Sequence, residues 1–191
     1  MSQNIQILIL AAGSSSRMGR PKQSLIYQGK TLLESSIEKA MATELKVSVV
    51  TGANHAEDLK TLDRFDLNII HNPNWAQGMG NSLKIGLKQV IDNTTSLDAI
   101  LIMVCDQPKL TKNILFQIID RYKQGESQVA CLYNDTLGVP ALFDKKHFND
   151  LLSIGNTSGA KSVINKNCSK VLFPEGQIDV DTPEDYKNLA K

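Results

Sequence analysis

Residues 5–22 read IQILILAAGSSSRMGRPK, an apolar run followed at once by small residues and three cations. The ILIL segment at residues 7–10 is apolar throughout, and so is AILIMVC at residues 99–105. A strand that alternates apolar and polar residues buries one face, whereas a strand apolar throughout is covered on both faces. Both runs therefore predict interior strands of a mostly parallel sheet with helices on its two sides.

The rest of the chain continues this alternation of short β-rich runs and helix-like segments. The β-rich runs lie at residues 5–10, 46–51, 67–71, 99–105, 128–133, 139–143 and 171–173. Four helix-like segments lie at residues 31–41, 81–90, 111–123 and 182–189. A further one follows Asn54, which can cap it together with Glu57. Thr31 and Glu34 have capping-box spacing, and Thr182 precedes a proline at a first helical position. We expect one α/β domain over residues 1–191.

Composition excludes several classes of protein. The net charge is +1, so the sequence does not favour a surface for nucleic acid. The apolar stretches are far shorter than the roughly 18–20 residues of a membrane span, and no secretory signal is recognisable. Cys105, Cys131 and Cys168 form no CxxC pair, which argues against a disulfide framework and a zinc site. We expect a cytoplasmic protein that binds neither nucleic acid nor membrane.

The loop after Leu10 is the first candidate site, because ligands of open α/β sheets gather at the carboxyl ends of the strands. Small residues at 11–16 leave room for a ligand near the backbone, where N–H groups and hydroxyls can surround phosphate oxygens. Arg17 offers a bidentate fork and Lys22 a point charge. This combination predicts a triphosphate site, against the alternative of a solvated Gly/Ser turn.

The spacing in this loop excludes two familiar phosphate-binding motifs. Gly13 and Gly19 are one residue too far apart for a P-loop, and Arg20 follows them. Ser15 stands where the dinucleotide fingerprint requires its second glycine. Neither P-loop ATPase chemistry nor NAD binding is therefore supported.

A second glycine-containing segment, NPNWAQGMGNS at residues 72–82, follows the third predicted strand. Its two glycines permit close backbone approach, and Asn81 or Ser82 can begin a helix whose N-terminus attracts anions. The alternative is an Asn/Gly/Pro turn with Ser82 as a helix cap. Trp75 fits either core packing or a lid over a planar substrate.

Carboxylates supply a candidate metal site. Asp106 follows the predicted strand at residues 99–105, and its hard oxygens suit Mg²⁺. Asp179 and Asp181 precede the last predicted helix, and extended alternation puts them on the same side, about 7 Å apart. Either carboxylate can reach a metal on Asp106, or both can serve only as charges near a helix N-terminus.

The segment LILAAGSSSRMGRPKQSL resembles the signature of the MobA-like nucleotidyltransferases, roughly L-A-[AG]-G-x-[GS]-x-R-M-G-x-x-K. The resemblance continues in NPNWAQGMGNSLKIGL, CDQP, GVPALF and DVDTPEDY, and so covers nearly the whole chain. Within the family it is strongest to the cytidylyltransferase branch of molybdenum cofactor synthesis, which typically has alanine at the position of Ala12, where the guanylyltransferase branch has glycine. It implies a three-layer, Rossmann-like nucleotidyltransferase fold of the GT-A-like type.

The resemblance also implies an activity and partners. It implies transfer of CMP from CTP to the phosphate of molybdopterin, with Mg²⁺ as cofactor, release of pyrophosphate and a molybdoenzyme as client. Residues 138–143 and 155–161 would shape the side of the second substrate. Asn156 departs from the family's Gly-Asp-x-Gly-Ala, which weakens any charge-based role at that position.

Site residues follow from the same resemblance. It implies catalytic roles for Arg17, Lys22 and Asp106, and metal ligation by Asp106 with Asp181 as the favoured second ligand. The nucleotide-binding residues would be Leu10, Ala11, Ala12, Gly13, Ser14, Arg17, Lys22, Asn72, Gly80, Ser82 and Asp106.

Three alternatives compete with cytidylyl transfer. One is a sugar-phosphate, alditol-phosphate or methylerythritol-phosphate nucleotidyltransferase, which usually carries an extra arm or domain. Another is a guanylyltransferase, which Ala12 disfavours. The third is a non-catalytic chaperone that delivers the cofactor to a partner enzyme. A binding module of that kind has no need of a metal carboxylate at Asp106 opposite a triphosphate loop.

Overall fold

The computed structural model describes residues 3–15 and 18–189, so the predictions made for Arg17 lie outside the described residues. Within those residues a central sheet contains seven strands: β1 Ile5–Ala11, β4 Lys46–Thr51, β5 Asn68–His71, β6 Ala99–Val104, β7 Gln128–Tyr133, β8 Thr136–Asp144 and β9 Ser169–Leu172. A separate hairpin consists of β2 Ile26–Tyr27 and β3 Lys30–Thr31. The α-helices are α1 Leu32–Met41, α2 His55–Leu62, α3 Met79–Asp92, α4 Lys112–Lys123, α5 Phe148–Leu152 and α6 Pro183–Leu189.

The central sheet has the strand order β5-β4-β1-β6-β8-β7-β9. Strands β5, β4, β1 and β6 pair in parallel, and β7 pairs in parallel with β9. Strand β8 is antiparallel to both of its neighbours. The expected mostly parallel sheet is confirmed, and the carboxyl ends of β1, β4, β5 and β6 meet at one edge.

Helices cover both faces of the sheet and so complete three layers. Along β1, Ile7 and Ile9 pack in one buried cluster with residues of α1, α2 and α4. Leu8 and Leu10 pack in the other with residues of α3 and α5. Because successive side chains of a strand point to opposite faces, β1 has to be apolar at every one of these positions.

Two of the predicted helix caps are present and one is absent. The Thr31–Glu34 capping box forms, with Glu34 N–H donating to Thr31 Oγ1 over 3.1 Å. At α6, Asp185 N–H donates to Thr182 Oγ1 over 3.2 Å. Asn54 precedes α2 but makes no side-chain capping bond, so the predicted cap is wrong there although the helix is present.

Other elements begin or end away from their predicted positions. Helix α3 begins at Met79 rather than residue 81, since Gly78 with φ of 115° supplies the turn into it. Strand β8 begins at Thr136 rather than residue 139, because it forms a hairpin with β7. The β2–β3 hairpin and α5 were not predicted. No helix in the described part of the chain is long and apolar enough to cross a membrane.

Candidate active site

Two adjoining cavities open beside the carboxyl ends of β1 and β6. The larger has a volume of about 520 Å³ and is lined by Leu10, Ala11, Gly13, Ser14, Ser15, Lys22, Gln23, Gly78, Met79, Val104, Cys105 and Asp106. The smaller has a volume of about 290 Å³ and is lined by Leu10, Ala12, Gly13, Ser14, Trp75, Ala76, Gly78, Met79 and Ser82. Most of the residues predicted to bind nucleotide therefore share the wall of one continuous depression.

Two carbonyl groups at the start of the loop after β1 accept hydrogen bonds from other parts of the protein. The carbonyl oxygen of Ala12 accepts a bond from Ala53 N–H over 3.2 Å, and that of Ala11 accepts one from Gln23 Nε2 over 3.4 Å. A Cβ placed on Gly13 would have no atom of residues 3–15 and 18–189 within 4 Å. The space beside Gly13 is therefore open to a ligand that approaches the backbone.

The turn that follows brings Lys22 back over this loop. Ser15 has a φ of 56°, and its Oγ accepts a bond from Lys22 N–H over 2.9 Å. Asparagine, aspartate and glycine adopt this left-handed conformation most readily, so a serine in it is a strained position stabilised by its neighbours. A second left-handed residue, Gly19 with a φ of 71°, follows before Lys22.

The ammonium group of Lys22 lies between two carboxylates. Its Nζ is 3.3 Å from Asp106 Oδ2 and also donates to Asp181 Oδ1. Burial disfavours the charge of Lys22, but the bonds and charges of Asp181 and Asp106 outweigh this effect and raise the Lys22 pKa above its usual value. These side chains are partly shielded, with 15% of Lys22 and 26% of Asp106 and Asp181 exposed.

The two carboxylates converge because the segment before α6 is tied to the end of β6. Val180 N–H donates to the carbonyl oxygen of Asp106 over 3.2 Å. Gln107, which is buried, donates through Nε2 to the carbonyl oxygens of Val139 and Gly176 over 3.1 and 3.0 Å. These bonds fix Asp181 beside Asp106 although the two residues are far apart in sequence.

Asp181, rather than Asp179, shares Lys22 with Asp106. Asp179 is nearby: partial burial, together with the negative charges of Asp181 and Asp106, raises its pKa. Among residues 3–15 and 18–189, no three His, Cys, Asp or Glu side chains are arranged to hold a metal ion. Asp106 and Asp181 are the two carboxylates that contact Lys22, and Mg²⁺ commonly binds one or two carboxylates together with water and substrate oxygens.

The Gly78–Met79–Gly80 segment packs closely against the loop at residues 155–159. A Cβ on Gly78 would lie 2.6 Å from the carbonyl oxygen of Asn156, and one on Gly80 would collide with the carbonyl oxygen of Gly155. Lys84 Nζ also donates to Asn156 Oδ1 over 2.7 Å. The structure thus brings the predicted second-substrate segment against the predicted nucleotide segment, with Asn156 as a link between them.

Two residues predicted to bind nucleotide lie behind the cavity wall. Asn72 is fully buried, donates to Ser82 Oγ over 2.9 Å and accepts from Asn74 N–H over 2.9 Å. Gly80 is buried against the loop at 155–159, and neither Asn72 nor Gly80 lines either cavity. Ser82 lines the smaller cavity and lies within the first turn of α3 rather than capping it.

The sequence of the chain matches a known family. A model of the MobA-like NTP transferase domain matches residues 7–171 of the chain. The chain belongs to the MobA-like NTP transferase family. The predicted family is thereby confirmed, and the protein is a nucleotidyltransferase of the MobA-like type.

Individual proteins are similar to this chain over nearly its whole length. The chain is 28% identical over 186 residues to the molybdenum cofactor cytidylyltransferase of Escherichia coli (strain K12), covering 95% of this chain and 93% of the relative. It is similar to the crystal structure of Rv0371c from Mycobacterium tuberculosis H37Rv, with a TM-score of 0.82 and 26% identity over 100% of this chain and 99% of that one. A structure of Rv0371c in complex with manganese gives a TM-score of 0.74 and 25% identity over 98% of both chains.

The MobA-like site also contains residues that the sequence alone did not indicate. Gln23 is 3% exposed and connects the loop to α2 through Asp58 Oδ2 at 3.4 Å. Burial raises the pKa of Asp58 to about 6. Gln107 follows Asp106 directly in the CDQP motif, so adjacency to a candidate ligand was the available signal. Gln23 follows Lys22 directly, so the same signal was available for it. For Asp58 there was none, because its contact with Gln23 depends on how α2 packs.

Proposed function

We propose that this MobA-like protein is a Mg²⁺-dependent cytidylyltransferase that transfers CMP from CTP to the phosphate of a molybdopterin-type cofactor and releases pyrophosphate. The observation that carries the proposal is the contact of Lys22 with Asp106 and Asp181 beside the larger cavity, which Lys22 and Asp106 line. A carboxylate pair and a cation beside a loop of small residues suit a metal-bound triphosphate. The similarity to the E. coli cytidylyltransferase supports the choice of nucleotide and acceptor.

The residues present fit a divalent metal. Asp106 and Asp181 offer carboxylate oxygens, and Mg²⁺ usually takes one or two carboxylates and completes its shell with water and substrate phosphates. The ammonium of Lys22 between them marks a position that attracts a cation. The structure of Rv0371c in complex with manganese supports the use of a divalent metal. When bound, the metal would neutralise charge on the phosphates during transfer.

The chain's own groups would position the substrates. An oxygen of the acceptor phosphate attacks the α-phosphorus of the nucleotide; a new P–O bond forms, and the bond to the oxygen bridging the β-phosphate breaks. Residues 12–15 surround the phosphates, and the cationic Lys22 compensates the charge of the departing pyrophosphate. Arg17 is proposed to assist in holding that pyrophosphate. Such a transfer requires alignment and charge compensation rather than a covalent intermediate.

The smaller cavity is proposed to receive the base. Its lining includes Ala12, Trp75 and Ser82, so it combines apolar side chains with a hydroxyl-bearing residue, a composition that suits a planar base. Trp75 is packed in place, because a Cβ on Gly52 would lie 2.6 Å from its Cβ. The sequence left two roles open for Trp75, core packing or a lid over a planar substrate. We propose that it has both, as a packed residue that forms one wall of the base site.

We also propose that residues 1–191 act as a single domain. Support comes from the sheet, which takes strands from Ile5 to Leu172, and from α6. Val180 and Leu189 pack in a buried cluster with Met18, Leu25 and Leu32, near the start of the chain.

Pyrophosphate release tests the proposed function. With Mg²⁺ and a molybdopterin-type acceptor, we expect release from CTP to exceed release from GTP or ATP. Asp106→Asn is expected to lower the CTP reaction at least 10²-fold, by analogy with the loss of one stabilising group in other active sites, while the melting temperature stays close to that of the native protein. Equal rates with all three nucleotides would remove the cytidine assignment, and full activity of Asp106→Asn would remove the metal assignment. Binding of acceptor without any pyrophosphate release would indicate a delivery module.

A further inference from the structure

The cation between Asp106 and Asp181 belongs to the chain itself. Lys22 is fixed at its backbone, because its N–H donates to Ser15 Oγ over 2.9 Å and its carbonyl accepts from Leu25 N–H over 3.0 Å. Its four-carbon side chain is the part that can move. The ammonium therefore occupies the space between the two carboxylates without being locked there by its backbone.

The same side chain lines the larger cavity together with Gly13 and Ser14. Lys22 thus has two sets of anionic neighbours within reach: the carboxylates now, and phosphates in that cavity once a nucleotide is bound. An ammonium and a divalent cation cannot both lie between the same two carboxylates, since they repel each other and compete for the same oxygens. Binding of a metal at the carboxylates must move Lys22 away.

We propose that Lys22 is a resident counterion that the divalent metal displaces, and that the triphosphate then receives the displaced ammonium. This inference rests on the proposed function, because it uses the same metal and phosphate positions. Its consequence is cooperative binding. Metal alone has to remove Lys22 from its partners with no anion to receive it, whereas metal with a triphosphate exchanges one ion pair for another. By linkage, each ligand then strengthens the binding of the other by the same factor.

The test is the affinity for Mn²⁺ alone, measured by electron paramagnetic resonance without any nucleotide. Lys22→Met keeps the length of the side chain and removes the charge. We expect it to bind Mn²⁺ roughly tenfold more tightly than the native protein, within the 5–150-fold range typical of couplings between sites. Lys22→Arg keeps a cation between the carboxylates and is expected to bind Mn²⁺ as weakly as the native protein does.

Lys109→Met is the matched control. Lys109 lies three residues after Asp106, and its Nζ contacts Tyr27 OH at 2.9 Å rather than the two carboxylates. A gain in Mn²⁺ affinity as large in this variant as in Lys22→Met would assign the effect to net charge and overturn the proposal. An unchanged Mn²⁺ affinity in a folded Lys22→Met, checked by its circular dichroism and melting temperature, would also overturn it.

A second measurement uses CTP in the presence of EDTA. Asp106→Asn frees Lys22 from one of its partners, so we expect it to bind metal-free CTP more tightly than the native protein. In the Lys22→Met background, the same substitution is expected to give little of this gain. An equal gain in both backgrounds would show that only repulsion between Asp106 and the nucleotide is relieved, and would contradict the exchange of Lys22. A negative result in the Mn²⁺ or the CTP measurement would overturn the exchange of Lys22 only, because pyrophosphate release tests the proposed function separately.

Discussion

At the scale of single residues, the site depends on where the chain leaves space as much as on its charged groups. The described part of the chain leaves room for a methyl group on Gly13, since none of its atoms lies within 4 Å of a Cβ built there. That room is part of both cavities. A glycine with open space beside it at the wall of two cavities leaves that space to a ligand.

Gly13→Ala separates ligand binding from folding. The new methyl group would occupy the space through which phosphates approach the backbone, and a displacement of about 1 Å at a reacting group can cost up to 10²-fold in rate. We expect the KM for CTP to rise roughly tenfold, with the melting temperature within about 2 °C of the native value. Steady-state kinetics and calorimetry measure the two effects. A fall in stability without a change in KM would assign Gly13 to the fold instead.

At the scale of elements, the sequence was most informative where one physical requirement dominates. Residues 7–11 of strand β1 and the whole of strand β6 are apolar because both faces are covered, and this pattern located the two strands to within a residue. The β7–β8 hairpin was missed, although Asn134 and Asp135 both have positive φ in its turn, of 47° and 56°. Asn and Asp tolerate that conformation, so a local signal was present.

For the candidate site, the sequence indicates individual residues but not the contacts between them. The sequence indicates Asp106 as a candidate because it follows a buried strand, and Lys22 because it ends a loop of small residues. The sequence does not indicate that Asp181 lies beside them, because that contact depends on the hydrogen bond from Val180 to Asp106 between distant segments. The buried contact between Gln23 and Asp58 likewise arises only when α2 packs beside the loop. Contacts between distant segments are set by packing, which a single sequence does not display.

Helix α3 offers a stability prediction at this scale. Gly86 lies so near the sheet that a Cβ would be 2.5 Å from Val50 Cγ2 and 3.1 Å from Leu8 Cδ1. Alanine is the better helix former by about 1 kcal/mol, but forcing a methyl group into a packed core costs about 1–3 kcal/mol. We expect Gly86→Ala to lower the free energy of unfolding in urea. Lys88→Ala, at an exposed position of the same helix, is the control and should change it little. A stabilised Gly86→Ala would show that α3 can shift away from the sheet.

At the scale of the whole molecule, the buried Asp58 should make stability depend on pH. Its pKa is raised from 3.8 to about 6 by burial, so the folded protein holds the proton more tightly than the unfolded chain. Stability contributed by this group is therefore fully present below about pH 4 and is lost as pH rises from about 4 to about 6.

Asp58→Asn removes that dependence while keeping an oxygen to accept from Gln23. Relative to the native protein, we expect the variant to gain up to about 3 kcal/mol in unfolding free energy between pH 4 and pH 7, from 1.36 kcal/mol for each pKa unit. Urea unfolding of both proteins across this range measures the difference. Parallel stability curves would mean that Asp58 titrates near its ordinary pKa.

The whole molecule is also the scale of the central claim, that this MobA-like protein transfers CMP to a molybdopterin-type cofactor. The most direct measurement follows radioactive phosphorus from CTP labelled at either the α- or the γ-phosphate. We predict that α-label is transferred to the cofactor and γ-label leaves in pyrophosphate, in equal amounts and only with a divalent metal. Recovery of the α-label solely in free nucleotide, with acceptor and metal present, would contradict the account.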